Sequence, residues 1–208
     1  MNAPHDRYRI VSRLGAFVLG GVLLCLVGCS TPRTSTALVL RDVEGRPQQP
    51  LVHADEKVTA LFFVLHDCPL AKTCAPEINR IVAEYEPRGV RCYLVYGEPE
   101  LSAEQARKHA TDFGYSCPVL LDPAQDLARF TGATISPEVA VLSPASQLLY
   151  RGRIDDRLTA FGKQRVEPAR RDLREALDAI LDGRAVPNRV TKAVGCYLPA
   201  GNFRRPDQ

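Results

Sequence analysis

Five cysteines lie beyond the first thirty residues: Cys68, Cys74, Cys92, Cys117 and Cys196. The neighbours of Cys68 prescribe its chemistry. It follows an apolar run over residues 58–65 and the pair His66-Asp67, and it directly precedes Pro69. The run reads as a buried central strand, and proline suits the first position of a helix. A cysteine at such a junction faces unpaired N–H groups and the positive end of the helix dipole. That setting favours the thiolate, the form that attacks disulfides and peroxides. Cys68 is therefore expected to be the nucleophile and the most acidic of the five thiols.

A thiol of this kind needs a partner to release its product. Cys74 is six residues further on. In a helix those six residues rise about 9 Å and place the two side chains on different faces. A disulfide needs Cα atoms about 4.4–6.8 Å apart, so this bridge requires the first turn to unwind. A core-packing role for Cys74 stands beside the redox one. Cys196 ends the stretch Thr191-Lys192-Ala193-Val194-Gly195-Cys196, in a tail beyond Pro187 with no expected helix or strand. Such a tail can carry a distant thiol to Cys68, with Gly195 easing a close backbone approach. The alternative is a structural cysteine, free or bridged to Cys117. Cys92 alternates with Val90 and Leu94 and reads as core, whereas Cys117 is left open. His66 is a candidate proton donor or soft-metal ligand, and His53 and His109 read as solvated. Arg151 and Arg153 are candidate cations beside a thiolate, and Asp155, Asp156 and Arg157 read as a local surface ion pair.

The elements that must position these groups alternate. A strand at 37–40 and a short return at 51–52 flank the turn residues Glu44-Gly45-Arg46-Pro47. After the 58–65 strand, Ile78, Ile81, Val82 and Tyr85 mark the buried face of a helix with Pro76 inside it. A strand at 90–96 follows, then a helix opened by the capping box Ser102/Gln105 and stopped at Gly114. A strand at 118–121 and a short helix closed by Gly132 come next. A hairpin of 139–142 and 148–152 precedes a last helix over 168–181. The pattern predicts an α/β fold with a mixed central sheet flanked by helices, an N-terminal strand pair and a C-terminal tail.

The first 28 residues read as a secretory signal, with Arg7, Arg9 and Arg13 ahead of an apolar run of residues 14–27. That run is shorter than the roughly 20 residues of a spanning helix. Leu26-Val27-Gly28-Cys29 resembles the bacterial lipobox. The resemblance implies lipidation of Cys29 and cleavage before it; the pattern of elements gives a tether over 29–36, a domain over 37–183 and a tail over 184–208. The resemblance also implies a lipid anchor in the cell envelope facing the periplasm, with Ser30 favouring the outer membrane. Removing the signal lowers the formal charge from +3 to +1, so no nucleic-acid partner is expected.

Taken together, residues 37–156 resemble the thioredoxin-like and redoxin group, which includes peroxiredoxins. Three features carry the match. The strand Leu61-Phe62-Phe63-Val64-Leu65 delivers Cys68 to a helix start, Pro76 lies eight residues beyond it, and Ser136-Pro137 precedes the strand Val139-Ala140-Val141-Leu142. The resemblance implies a cis Pro137 which, with Ser136, shapes a substrate-holding surface, and no cofactor. The Cys-x-x-Cys of thioredoxins is absent, since Ala71 stands at its second position. Leu65 stands where peroxiredoxins carry Thr or Ser.

The first functional reading is an envelope-tethered thiol–disulfide oxidoreductase. It acts on protein or small-molecule disulfides, and an unidentified thiol reductant restores it. The second is a thiol peroxidase, with Cys196 or Cys74 resolving a sulfenic acid. The third is a Sco-like copper carrier using Cys68, Cys74 and His66.

Overall fold

The structure is a computed structural model that describes residues 38–52 and 58–199. Cys29, the signal, the tether and His53 lie outside the described residues. Strands β1 (Leu40–Asp42) and β2 (Pro47–Gln48) form a hairpin, followed by β3 (Val58–Val64), α1 (Pro69–Tyr85), β4 (Val90–Tyr96), α2 (Ala103–Asp112) and β5 (Val119–Leu121). Then come α3 (Asp126–Thr131), β6 (Ile135–Ser136), β7 (Glu138–Leu142) and β8 (Leu148–Gly152). A small hairpin of β9 (Leu158–Ala160) and β10 (Lys163–Gln164), α4 (Asp172–Leu181) and β11 (Cys196–Tyr197) complete the order.

Seven strands form one sheet in the order β2-β1-β5-β4-β3-β7-β8. β3 runs parallel to β4 and antiparallel to β7, so the sheet is mixed, as the alternation of elements predicts. Every residue of β3 is buried, which explains its unbroken apolar sequence. The helix face of Ile78, Ile81, Val82 and Tyr85 is buried too, and α1 runs continuously through Pro76. Ser102 and Gln105 form both halves of the capping box at 3.2 and 3.0 Å.

Four local expectations need correction. The return strand of the first hairpin is β2, several residues before 51–52, because Asp42 pulls the turn tight. Its carboxylate accepts from the amides of Glu44 and Arg46 and from the Arg46 and Gln48 side chains. The last helix starts at Asp172 rather than 168, because Arg170 is tied instead to Asp156, whose carboxylate accepts its amide at 2.9 Å. Asp155 and Asp156 are buried, not surface acids.

The fourth correction is His109. It is buried, and its Nδ1 lies 2.5 Å from the Tyr96 hydroxyl. Tyr96, Phe113 and Tyr115 surround its ring. Burial, with lesser contributions from Lys72 and His66, lowers its pKa from 6.5 to about 4. The imidazole is therefore folded in neutral form. Between pH 6.5 and about 4 the unfolded chain binds a proton that the folded chain refuses, so this site costs stability as pH falls through that window. The urea midpoint of the native protein should fall more steeply across that range than that of His109→Gln. Parallel slopes would refute the assignment.

Candidate functional site

Cys68 occupies the N-cap of α1, directly before Pro69, at the point where β3 gives way to the helix. The cap makes no side-chain hydrogen bond, and the first turn carries no acidic residue. Nothing on the helix itself competes for its N-terminal N–H groups. The cysteine is 1% exposed.

Ser136 holds the opposite wall. Its hydroxyl accepts the Leu65 amide at 2.7 Å, where the chain leaves β3. Its carbonyl oxygen lies 3.3 Å from the Cys68 sulfur. The following peptide, Ser136–Pro137, is cis. Glu138 steadies this segment from the far side of the proline, accepting the amides of Thr134 and Ile135 at 2.8 and 3.1 Å. Burial raises the Glu138 pKa, and those two amides work against the rise.

The tail is not a loose strand. β11 pairs antiparallel with β6, with Cys196 opposite Ser136 and Tyr197 opposite Ile135. The Leu198 amide donates to the Thr134 carbonyl at 2.9 Å, and Gln125 donates to the Pro199 carbonyl at 2.5 Å. Further back, Thr191 donates its amide to Arg151 at 3.0 Å, and its hydroxyl lies 2.6 Å from that of Tyr150. Expectation and structure differ here because pairing between residues sixty positions apart has no local sequence signature. The result is that the Cys196 sulfur lies 2.7 Å from that of Cys68, both as free thiols. A disulfide bond is about 2.05 Å long, so only a small closing movement is needed for a two-electron oxidant such as a substrate disulfide to join them. Burial, then the bond to Cys68 and its charge, pushes the Cys196 thiol up to about 12.

The other cysteines stand apart from this pair. Cys74 lies inside the continuous α1 and lines a cavity of about 10 Å³ with Pro137, Arg153, Ile154 and Val194. Burial, assisted by Asp155, pushes it up to about 12. Cys92 is buried in β4, and burial raises its pKa strongly. Cys117 is also buried, and burial pushes it up to about 12. Arg151 and Arg153 have carboxylates of their own, Glu138 at 3.7 Å and Asp172 at 2.7 Å.

Sequence reasoning missed Glu98. One of its oxygens accepts the His66 amide at 3.0 Å and lies 2.7 Å from His66 Nδ1. Burial raises its pKa, and the His66 bonds oppose the rise. The pair fastens the turn before Cys68 to the loop after β4, beside a cleft of about 490 Å³. Among the described residues, only His66, Asp67 and Glu98 bring three possible metal-ligating atoms within 4.8 Å of one another. Cys68, Cys74 and His66, the expected copper ligands, do not converge in that way.

No protein-family model and no curated protein sequence matches the chain. Solved structures do. An uncharacterized conserved protein from Geobacillus kaustophilus is similar over 80% of this chain and 91% of its own, with TM-score 0.68 and 27% identity. A hypothetical protein from Sinorhizobium meliloti 1021 is similar over 80% and 92%, with TM-score 0.65 and 22% identity. MTB dsbF, solved in mixed oxidized and reduced forms, is similar over 69% and 95%, with TM-score 0.52 and 16% identity. With the mixed sheet, the cysteine at the start of α1 and the cis proline facing it, the chain has a thioredoxin-like fold.

Proposed function

We propose that this protein is a thiol–disulfide oxidoreductase of the bacterial envelope, with Cys68 as nucleophile and Cys196 as its redox partner. The observation that carries the reading is the 2.7 Å approach of the two sulfurs across the strand that precedes cis Pro137. The Cys68 thiolate attacks a substrate disulfide. One substrate sulfur bonds to Cys68, and the other leaves with the electron pair and takes up a proton. Cys196, losing its proton to solvent, then attacks the Cys68 sulfur. The second substrate thiolate is released and the Cys68–Cys196 disulfide remains. An external dithiol returns both electrons. The lipobox at Cys29 supports attachment of the mature chain to the membrane.

Turnover with a small disulfide should fall by roughly a hundredfold or more in Cys68→Ser. Cys196→Ser should perform the first attack and accumulate a mixed disulfide, while Cys74→Ser should turn over normally. Peptide maps of the oxidised protein joining Cys68 to Cys74, with Cys196 free, would reject the pairing. Faster turnover with hydrogen peroxide than with any disulfide would favour the peroxidase instead.

In the mixed disulfide Cys68 is no longer ionisable, so burial is what holds the Cys196 thiol above its ordinary value and sets the pH dependence of the second step. A thiol whose pKa lies far above neutrality gains thiolate about tenfold per pH unit. Decay of a preformed Cys68 mixed disulfide should therefore accelerate with that slope from pH 6 to pH 8. A flat profile in stopped-flow measurement would exclude attack by Cys196.

The membrane attachment has its own test. Cys29→Ser should release the protein from the membrane fraction. Unchanged fractionation, together with an uncleaved signal detected by mass spectrometry, would reject lipidation.

A further inference from the structure

The turn that leads to Cys68 carries a second group of capable side chains, apart from the thiols. His66 and Asp67 lie between β3 and α1, and Glu98 lies in the loop between β4 and α2. Each offers a ligand atom within 4.8 Å of those of the other two. Atoms bound to one ion at about 2.0–2.2 Å lie at most about 4.4 Å apart, so little movement closes the set. Glu98 uses only one of its oxygens. Oε1 accepts the His66 amide at 3.0 Å and lies 2.7 Å from His66 Nδ1. Oε2 is buried, with no hydrogen-bond partner among the described residues. A buried carboxylate oxygen left in that state is costly, and a cation offsets the cost. The cleft of about 490 Å³ beside the cluster is lined by Asp67, Glu98 and Glu100, and by neither lysine nor arginine. The clefts of about 270 and 930 Å³ each carry three arginines instead. The first cleft therefore concentrates cations.

We infer that His66, Asp67 and Glu98 form a binding site for a first-row divalent metal ion, whose remaining positions open to the cleft. The donor set selects the class of ion. One imidazole with two carboxylates suits ions such as manganese, iron, cobalt or zinc in the divalent state. Calcium takes about six to eight oxygen ligands, more than this set supplies. Copper(I) selects thiolates, and the Cys68 sulfur faces away to the Ser136 carbonyl and Cys196. The ion adds a second tie between the two segments that His66 and Glu98 already join, the turn before Cys68 and the loop after β4. Its binding uses none of the thiols, so the site stands or falls apart from the oxidoreductase reading.

The test is a calorimetric titration of the untagged full chain with Co²⁺, the thiols kept reduced by a phosphine, followed by absorption spectra of the loaded protein. A single ion should bind per chain, with the bands of nitrogen and oxygen ligation and no thiolate-to-cobalt charge-transfer band. Asp67→Asn and Glu98→Gln should each weaken binding by about tenfold or more. Asp67 is exposed, so its replacement leaves the packing untouched. For Glu98→Gln, continued protection of Cys92 and Cys117 from alkylation reports an intact fold. The double variant Cys68→Ser/Cys196→Ser should bind within about twofold of the parent, since neither sulfur is a ligand. Co²⁺ should also raise the thermal midpoint of the parent and of that double variant, and raise it less in Asp67→Asn. The absence of saturable binding, undiminished affinity in both carboxylate variants, or a charge-transfer band that vanishes in the double cysteine variant would each overturn the site.

Discussion

Everything around Cys68 depends on what Ser136 does with its three polar groups. The hydroxyl ties down the amide of Leu65, so the end of β3 cannot shift. The carbonyl oxygen faces the Cys68 sulfur. The backbone pairs with Cys196. One residue thus couples the central strand, Cys68 and the tail, and Glu138 holds the amides of Thr134 and Ile135 just before it. In a buried setting each of these groups needs its partner, because an unpaired one costs about 1–3 kcal/mol. Moving any of the three segments therefore disturbs the other two.

The placement of the thiols distinguishes them by their position in the fold rather than by residue type. Cys92 and Cys117 sit in the core, where ionisation is costly and reaction is suppressed. Cys74 lies within a helix that would have to unwind before it met Cys68. Cys68 stands at a helix start and Cys196 on a surface strand held by a few hydrogen bonds. The two with room to change partner are the two in contact. An odd number of cysteines among the described residues is thereby accommodated without a disulfide framework, since the sheet supplies the core.

Much of this was legible in the sequence where the determinants are local. The run before Cys68 and the proline after it specify a strand-to-helix switch, and Ser102 with Gln105 specifies a cap, because a few adjacent residues decide each. Ser136-Pro137 was readable through resemblance. What escaped depends on contacts between distant segments. His109 reads as a solvated helix residue until Tyr96 and Tyr115 close around it. Glu98 gives no local signal, and only its meeting with His66 marks it. The tail from Val190 onward alternates too little to announce a strand, and its docking is set by the space beside Ser136.

The fastening of Thr191 to β8 has a consequence for kinetics. Cys196 lies five residues beyond that point, so even a fully released end spans at most about 18 Å. A thiol on so short a leash is present at its target at an effective concentration in the millimolar range or above. Dilute thiols in the surrounding medium cannot match that. On the oxidoreductase reading, any adduct formed on Cys68 is therefore met first by the protein's own cysteine rather than by thiols of the medium.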